Sequence, residues 1–269
     1  MPRKLRLDLH LLTKGLATSR QKAQQLIRAG KVRDHSGKLL DKPGQQVSAD
    51  LELLIKESPR FVSRGGEKLT QAFKSFSLTV DRKVCLDGGI STGGFTDCLL
   101  QNGAARVYGI DVGYGQVAWR LRTDQRVVLK ERTNLRTLTH EELYGPNDPW
   151  PSFAVADLSF ISLKIVLPAI RSLLQPDNAE AVVLVKPQFE VGRERVGKGG
   201  VVRNPAAHVD ALHSVIRSAG ELRWEPKGIV ASPITGPAGN HEYLLWLGIS
   251  EGRKLPNIES LVKNTLLSN

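Results

Sequence analysis

Residues 84–100, VCLDGGISTGGFTDCLL, give the clearest indication of the fold class. Residues 84–87 are apolar up to a final acid, Asp87, and predict a short buried strand. Residues 95–100 predict the beginning of a helix. A strand, a glycine-rich turn and a helix in this order predict an α/β domain with a ligand at the turn. The glycines of that turn are Gly88, Gly89, Gly93 and Gly94.

The glycine turn also restricts the class of ligand. Glycines let a ligand lie against bare backbone, and the following helix directs its first N–H groups at that ligand. The spacing is not G-x-G-x-x-G, so a loop for dinucleotide pyrophosphate fits less well than one for a phosphate-free ligand such as S-adenosylmethionine (SAM). The alternative is a tight strand-to-helix turn that binds nothing.

Two polar residues after the next predicted strands are candidates for the same ligand. Residues 106–110 predict a strand that ends at Asp111, which stands 24 residues after Asp87. An acid about 20 residues after the glycine turn binds ribose hydroxyls in nucleotide-binding α/β folds, although a lone aspartate after a strand often only caps a turn. Asn134 follows a predicted strand at residues 127–130 and either hydrogen-bonds an adenine or caps a turn.

Composition excludes several classes of protein. The chain has 269 residues, of which 41% are hydrophobic, and no apolar run approaches the roughly 18 residues that span a membrane. Its first ten residues, MPRKLRLDLH, lack the apolar core of a secretion signal, so we expect a cytoplasmic protein. Two cysteines without a C-x-x-C motif and six scattered histidines support neither a disulfide framework nor a metal site.

The net charge of +11 favours a polyanionic partner, and its distribution sharpens that expectation. Residues 1–60 carry 13 Lys and Arg against 6 Asp and Glu, whereas the remaining residues carry 25 against 21. No aromatic residue precedes Phe61, so contacts to phosphates are favoured over stacking on bases. The alternative explanation for the excess charge is solubility alone.

Residues 1–58 predict a small α+β domain. Residues 5–14 and 19–29 predict two short helices, and residues 31–33, 38–42, 46–47 and 51–56 predict strands separated by turns. The pattern GLATSRQKAQQLIRAGKVRDHSGKLLDKPGQQVS resembles the RNA-binding domain named after ribosomal protein S-four. The resemblance implies RNA contacts from basic residues, for which the candidates are Arg20, Lys22, Arg28, Lys31 and Arg33.

A linker is expected at residues 59–63, and residues 64–269 predict the second domain. Lys68 lies in a predicted helix at residues 63–76. Predicted strands at residues 153–156 and 181–185 deliver Asp157 and Lys186 at their ends, and Glu242 opens a last strand at residues 242–248. Strands that alternate with helices predict a mainly parallel sheet with helices on both faces.

A polar, glycine-rich loop, VGRERVGKGGV at residues 191–201, follows the strand that delivers Lys186. Its basic residues can close over a polyanion or can simply be solvated. The loop therefore adds candidates for RNA binding without deciding between these two alternatives. These residues are Arg193, Arg195 and Lys198.

These motifs together resemble the TlyA family of ribosomal RNA 2′-O-methyltransferases. The resemblance is carried in chain order by SRGGEKL, CLDGGISTGGFTDCLL, DVGYGQVAWRLR, ERTN, VADLSFIS, LVKPQFEVG, GKGGVV and GNHEYLLWL. It implies a Rossmann-like, SAM-dependent, FtsJ-like methyltransferase domain behind the S-four-like domain. The implied substrate is the ribose 2′-hydroxyl of cytidine in ribosomal RNA or ribosomal subunits, with no metal and no membrane involved.

The resemblance also assigns residues. The family's Lys-Asp-Lys-Glu tetrad corresponds to Lys68, Asp157, Lys186 and Glu242. Ile90 stands where the family usually has alanine, and this larger side chain is expected to affect SAM affinity. The basic candidates for RNA binding include Arg64 in SRGGEKL. The implied SAM-binding residues are Asp87, Gly88, Gly89, Ser91, Thr92, Gly93, Gly94, Phe95, Asp111, Asn134 and Asp157.

The tetrad suits methyl transfer to a hydroxyl, which requires an in-line approach and removal of a proton. We expect Lys186 to act as the base, which requires a lowered pKa, because an ordinary lysine is neutral in roughly one molecule in 2,500 at pH 7. Lys68 and a sulfonium nearby would lower that pKa by repulsion, whereas Asp157 and Glu242 would orient the groups. The alternative is four structural charges in two ion pairs.

Two other functions compete with the enzyme. A membrane-lysing toxin, as the family's hemolysin label suggests, needs a signal, a spanning segment or a strongly amphipathic helix, and none is visible. A non-catalytic RNA-binding or ribosome-assembly factor would share the basic domain and could keep a degenerate SAM fold. The complete tetrad favours the enzyme.

Overall fold

The computed structural model describes residues 3–56, 59–250 and 253–267. The chain divides between residues 59 and 60 into two compact units. The linker at residues 59–63 stays a prediction. Phe61 and Val62 are part of the second unit, since the Phe61 ring is buried in its core and the Val62 N–H donates to Asp97 Oδ2 at 2.8 Å.

The first unit packs two helices against two small antiparallel sheets. Strand β1 pairs with β3, and β2 pairs with β4. Leu7, Leu11 and Ile27 are fully buried and form the centre of its core. The strand predicted at residues 38–42 does not form, since only an isolated bridge joins Leu39 to Arg33. The elements are β1 (Lys4–Arg6), α1 (Leu7–Thr13), α2 (Arg20–Arg28), β2 (Val32–Asp34), β3 (Gln46–Ser48) and β4 (Leu53–Ile55).

The second unit alternates strands and helices along its length, as the sequence predicts. Its elements are α3 (Gly65–Phe76), β5 (Val84–Gly88), α4 (Gly94–Gln101), β6 (Arg106–Ile110), α5 (Trp119–Arg122), β7 (Val127–Lys130), α6 (His140–Leu143), β8 (Phe153–Ala156), α7 (Leu163–Ser172), β9 (Glu180–Val185), α8 (Pro187–Glu190), α9 (Pro205–Glu221), β10 (Glu225–Ala231), β11 (Tyr243–Gly248) and α10 (Ile258–Leu267).

These strands form one seven-stranded sheet in the order β10-β11-β9-β8-β5-β6-β7. The five strands from β9 to β7 run parallel, whereas β11 is antiparallel to both β9 and β10. The predicted mainly parallel sheet is confirmed. Strand order reverses between β5 and β8, and open α/β sheets bind ligands at the carboxyl ends of the strands at such a point.

Alternate side chains of the central strands enter two separate cores, which places helices on both faces. Leu86 packs in the core that includes Leu167 of α7 and Leu212 of α9. Its neighbour Cys85 packs in the core that includes Leu69 of α3 and Leu99 of α4. Strands buried on both faces are near-continuously apolar, which is why they could be predicted from sequence.

The parallel strands end at one side of the sheet, which we call the carboxyl edge. They begin at the opposite side, which we call the amino edge. Asp157 and Lys186 directly follow β8 and β9, so they lie at the carboxyl edge. Glu242 directly precedes the antiparallel strand β11 and therefore lies at the same edge. Among the helices of residues 3–56, 59–250 and 253–267, none is both long and apolar enough to cross a bilayer.

Candidate active site

The glycine turn at the end of β5 brings three chain segments too close together for side chains. The Gly89 N–H donates to the Ile110 carbonyl at 2.8 Å, and its backbone has a positive φ of 84°. A Cβ at Gly89 would lie 2.8 Å from the Leu158 side chain and 3.0 Å from the Asp157 carbonyl oxygen. Glycine is therefore required here by both conformation and space.

Asp87 lies fully buried beneath this turn. Its Oδ2 accepts a hydrogen bond of 2.6 Å from the Thr96 hydroxyl, whereas its Oδ1 has no hydrogen-bond partner among the described residues. Loss of solvation raises the pKa of this carboxyl to about 7. An unpaired buried carboxylate oxygen is costly in a folded protein, and protonation of the carboxyl lowers that cost.

Asp111 orders the adjacent backbone and lines a cavity at the same time. Its two oxygens accept the N–H groups of Ser91 and Gly113, each at 2.7 Å. Each carboxylate oxygen keeps a further lone pair, so Asp111 can still accept hydrogen bonds from a ribose. The cavity has a volume of about 340 Å³, and its lining includes Gly89, Ser91, Ile110, Asp111, Leu135, Asp157, Leu158 and Phe160.

The four residues of the predicted tetrad form one connected cluster. Lys186 Nζ lies 2.7 Å from Asp157 Oδ1, and Lys68 Nζ lies 3.6 Å from Asp157 Oδ2. Lys68 Nζ also lies 2.7 Å from Glu242 Oε2, and Lys186 Nζ donates to the Ser159 hydroxyl at 3.0 Å. Asp157 thus bridges the two lysines.

Burial of this cluster is deep for charged groups. Lys68, Lys186 and Glu242 are 8%, 7% and 2% exposed, whereas Asp157 is partly exposed. Buried charges are stable only when paired, and here two ammonium groups alternate with two carboxylates. The site is therefore nearly neutral in total while it holds two cations side by side.

The cluster and the glycine turn face a second cavity of about 280 Å³. Its lining includes all four tetrad residues together with Arg64, Ser91, Thr92, Gly94, Phe95, Thr235 and Pro237. Gly89, Ser91, Asp157 and Ser159 line both cavities. A ligand bound along the turn would therefore reach the lysine cluster directly.

Four predicted cofactor-binding residues do not line either cavity. Asp87, Gly88 and Gly93 lie behind the cavity wall, where they shape the turn. Asn134 is exposed and its side-chain oxygen accepts the Arg136 N–H at 3.1 Å, which is the turn-capping alternative. Its neighbour Leu135 lines the cavity instead.

Ile90 lines the second cavity and is 2% exposed. Its side chain fits because the adjacent position on β6 is Gly109, where a Cβ would collide with Ile90 Cδ1. The larger residue is thus accommodated in the core, beside the second cavity.

The basic candidates of the first unit differ in how firmly they are held. Lys22 and Arg28 are exposed on α2. Arg20 donates to the buried Asp8 at 3.1 Å, and Arg33 donates to the Gly37 carbonyl at 2.7 Å. Lys31 is half-buried and directly precedes β2. All three α2 candidates are exposed, and Arg20 differs from Lys22 and Arg28 in being paired with Asp8.

In the second unit, Arg64 is exposed at the start of α3 and lines the second cavity. The loop at residues 191–202 forms two short 3₁₀ turns, Arg193–Arg195 and Lys198–Gly200. Arg193 and Lys198 are exposed, whereas Arg195 pairs with Asp210 at 2.8 Å.

Sequence reasoning missed several residues that face the cavities. Phe160 is 91% exposed, has a positive φ of 65°, and its ring centroid lies 5.4 Å from that of Phe189. Its place two residues before a helix N-cap, directly after Asp157-Leu158-Ser159, was the available signal. Thr235 and Pro237 come from the turn SPITGPAGN, which directly precedes the segment with Glu242.

The two cysteines are free and buried, and burial raises the pKa of Cys85 to about 12 and that of Cys98 to about 11. The part of the chain that the structure describes contains no group of three or more His, Cys, Asp and Glu residues suited to hold a metal ion.

Known families match both units. The model of the FtsJ-like methyltransferases matches residues 61–249, and that of the S4 domain matches residues 5–53. The 16S/23S rRNA (cytidine-2′-O)-methyltransferase TlyA of Mycobacterium tuberculosis is 50% identical over 257 residues, which cover 95% of this chain and 94% of that protein. Hemolysin A of Brachyspira hyodysenteriae is 41% identical, covering 89% of this chain and 98% of that protein.

A solved structure, described as a hemolysin of Streptococcus thermophilus, matches with a TM-score of 0.72 and 40% identity, covering 98% of this chain and 96% of that one. The predicted fold class, a Rossmann-like SAM-dependent methyltransferase fold with a small N-terminal α+β domain, is confirmed. The chain therefore belongs to the FtsJ-like methyltransferases and, with an S4 domain ahead of the methyltransferase domain, to their TlyA family.

Proposed function

We propose that this protein transfers the methyl group of SAM to the ribose 2′-hydroxyl of a cytidine in ribosomal RNA. The observation that carries the proposal is the cluster of Lys68, Asp157, Lys186 and Glu242 at the carboxyl edge, next to the glycine turn. The M. tuberculosis relative bears the name of this reaction. A ribosomal substrate implies work in the cytoplasm.

The residues at the turn fit SAM. Asp111 would accept the ribose hydroxyls, and Ile110, Leu135 and Leu158 would enclose the adenine with apolar surface. When bound, SAM supplies an electrophilic methyl group on a positively charged sulfur. The partly exposed Asp157, which lines both cavities, provides negative potential for such a cation.

Lys186 is our proposed base for the 2′-hydroxyl proton. An amine accepts a proton only in its neutral form, so Lys186 would act as the base after losing its own proton. Asp157 holds both amines, and the Ser159 hydroxyl fixes the Lys186 side chain from another side. This arrangement would fix the amine where the ribose enters the second cavity.

We propose that RNA is held by several surfaces. The S4 domain supplies exposed basic residues, of which Lys22 and Arg28 are examples. At the site, Arg64 would contact a phosphate, and the exposed ring of Phe160 offers a base a surface to stack on. Unpaired bases commonly bind proteins in this way.

The experiment is methyl transfer from SAM to purified ribosomal subunits, followed by digestion to nucleosides and mass spectrometry. We expect 2′-O-methylcytidine to appear in the treated RNA and not in a sample without the enzyme. A protein that binds the subunits but transfers no methyl group would be an RNA-binding or assembly factor. Methylation of a base instead of a ribose would contradict the proposed substrate atom.

A further inference from the structure

One residue of the basic loop, which we define as residues 191–202, is held at both of its backbone polar groups by side chains. Val202 is 2% exposed, and its N–H donates to Asn240 Oδ1 at 3.0 Å. Its carbonyl lies 2.9 Å from His208 Nε2. Two buried side chains thus hold the end of this loop, and neither belongs to the cluster of Lys68, Asp157, Lys186 and Glu242.

Asn240 joins the loop to the segment that carries Glu242. Its Nδ2 donates to the Gly200 carbonyl at 2.8 Å, and its own carbonyl accepts the Gly236 N–H at 2.9 Å. Asn240 is 2% exposed and stands two residues before Glu242. Because both ends of its amide are bonded to the loop, a shift of the loop must displace Asn240.

The turn that Asn240 closes forms a wall for Glu242. A Cβ at Gly236 would lie 2.6 Å from Glu242 Oε1, so the backbone of this turn lies directly against the carboxylate. The other oxygen, Oε2, is the one that pairs with Lys68 at 2.7 Å. Movement of the turn would therefore change the space available to Glu242.

His208 makes a second connection on the other side of Glu242. Its Nδ1 lies 3.0 Å from the hydroxyl of Tyr243, and both side chains are fully buried. Burial lowers the pKa of His208, and a neutral ring that donates from Nε2 and accepts at Nδ1 satisfies both contacts. Asn240 and Tyr243 flank Glu242, so the network holds its segment from both sides.

We propose that Asn240 and His208 are positioning residues that couple the basic loop to Glu242. This inference rests on the proposed function, in which the loop contacts RNA and Glu242 holds Lys68. Arg193 and Lys198 are exposed on the loop and free to meet phosphates from its outer side. The network would then fix the position of RNA bound by these residues relative to Glu242, the carboxylate that holds Lys68.

The competing explanation is that the network only stabilises the fold. A buried polar group that loses its partner costs about 1–3 kcal/mol in either case, so stability alone does not separate the two. The kinetic constants separate the two explanations, since a purely structural role leaves these constants unchanged in protein that remains folded.

The main test is Asn240→Ala, assayed below its melting temperature. We expect the KM for ribosomal RNA to rise about tenfold and kcat to fall about tenfold, with the Kd for SAM within twofold of the wild type. The matched control is Asn204→Ala, because Asn204 accepts the Ala206 N–H at 2.9 Å at the start of α9 and is exposed. This control should lower the melting temperature and leave both kinetic constants within twofold.

A pair of substitutions at His208 provides a rescue test. Glutamine carries an amide N–H near the position of Nε2 and can still donate to the Val202 carbonyl, whereas leucine cannot. We expect His208→Gln to stay within threefold of the wild type and His208→Leu to repeat the defect of Asn240→Ala. Normal kinetic constants in both Asn240→Ala and His208→Leu, or equal defects in the glutamine and leucine variants, would overturn the proposal.

Hydrogen exchange keeps this inference separate from the proposed function. In His208→Leu, deuterium uptake should increase in peptides from the basic loop and also in those that contain Glu242, whether or not ribosomal RNA proves to be the substrate. Increased uptake in the loop alone would show that the two segments are not coupled and would contradict the inference. Absence of methyl transfer by the wild type would contradict only the proposed function.

Discussion

The two edges of the sheet use similar side chains in different ways. At the amino edge, Lys83 lies 2.8 Å from Glu180, which also accepts from Trp246 Nε1 at 3.1 Å. Lys83 and Glu180 keep 29% and 28% of their side-chain surface exposed. One cation pairs with one carboxylate there, and water solvates the exposed part of both side chains.

At the carboxyl edge, Lys68 and Lys186 share Asp157. Both lysines and Glu242 are almost fully buried. An ion pair such as that at the amino edge is an ordinary feature of a protein surface and needs no functional explanation. The linked charges at the carboxyl edge are buried and also line a cavity, which favours a chemical role over a structural one. Burial beside a cavity therefore distinguishes this cluster from the exposed ion pair at the amino edge.

The largest expected effect is on methyl transfer. Lys186→Ala should lower kcat by about 10²–10⁴-fold, the usual contribution of a general base, while the Kd for SAM stays within a few fold. Lys83→Ala at the amino edge should leave kcat within about twofold. Transfer assays and calorimetry on both variants check this. Equal kcat in the two variants would remove the distinction between the edges.

The next effect is on stability. Lys68→Met leaves Glu242 buried without its 2.7 Å partner and should lower the free energy of unfolding by about 3–5 kcal/mol. Lys83→Met leaves a half-exposed Glu180 and should cost about 1 kcal/mol or less. Urea denaturation at pH 7 measures both. If the two variants lose the same stability, the carboxyl edge has no special dependence on paired charge.

Asp87 should make the stability of the protein depend on pH. Its folded-state pKa of about 7 lies above the unfolded value, so the unfolded chain alone loses this proton between about pH 4 and 7, and stability falls over that range. Between pH 4 and pH 8, the free energy of unfolding of Asp87→Asn should therefore rise by a few kcal/mol relative to that of the wild type, since one pKa unit corresponds to about 1.4 kcal/mol.

The control for Asp87 is Asp81→Asn at the amino edge, because Asp81 is exposed and its substitution should change the free energy of unfolding by about 1 kcal/mol or less. Denaturation curves at pH 4, 6 and 8 give the comparison. A pH-independent effect of Asp87→Asn would mean that its carboxyl is ionised in the folded protein.

The smallest expected effect concerns an aromatic ring at each edge. Phe160→Ala should raise the KM for ribosomal RNA by about tenfold, because stacking of a base on an aromatic ring contributes about 1–3 kcal/mol. Phe76 stacks on Trp246 at a centroid distance of 5.6 Å, so Phe76→Ala should lower stability without changing that KM. Steady-state kinetics with purified subunits decides, and an unchanged KM for Phe160→Ala would exclude the ring from RNA binding.

The sequence predicted the sheet well because its central strands are apolar on both faces. It missed α7, whose interior Pro168 interrupts the helical pattern, and α10, which lies beyond the last recognised motif. It wrongly predicted a strand at residues 38–42, where Leu40 is buried but Leu39 is exposed and Pro43 follows directly. Local pattern could not supply the tertiary contacts that decided these segments.

The sequence could predict those site residues that lie directly at the ends of strands. Asp157 and Lys186 follow strands, and their meeting follows from strands β8 and β9 being neighbours. The role of Asn134 was left open between two alternatives, and the structure favours the turn cap. Phe160, Thr235 and Pro237 were missed because their exposure toward the cavities depends on backbone turns without a periodic pattern.

In the proposed function, the methyl donor and the lysine cluster meet at the carboxyl edge. The decisive measurement is a crystal structure with S-adenosylhomocysteine. We expect the adenosine between Asp111 and Leu135, with the sulfur facing the cavity that Lys68, Asp157, Lys186 and Glu242 line. Binding of the ligand elsewhere, or with its sulfur turned away from Lys186, would show that donor and cluster do not meet.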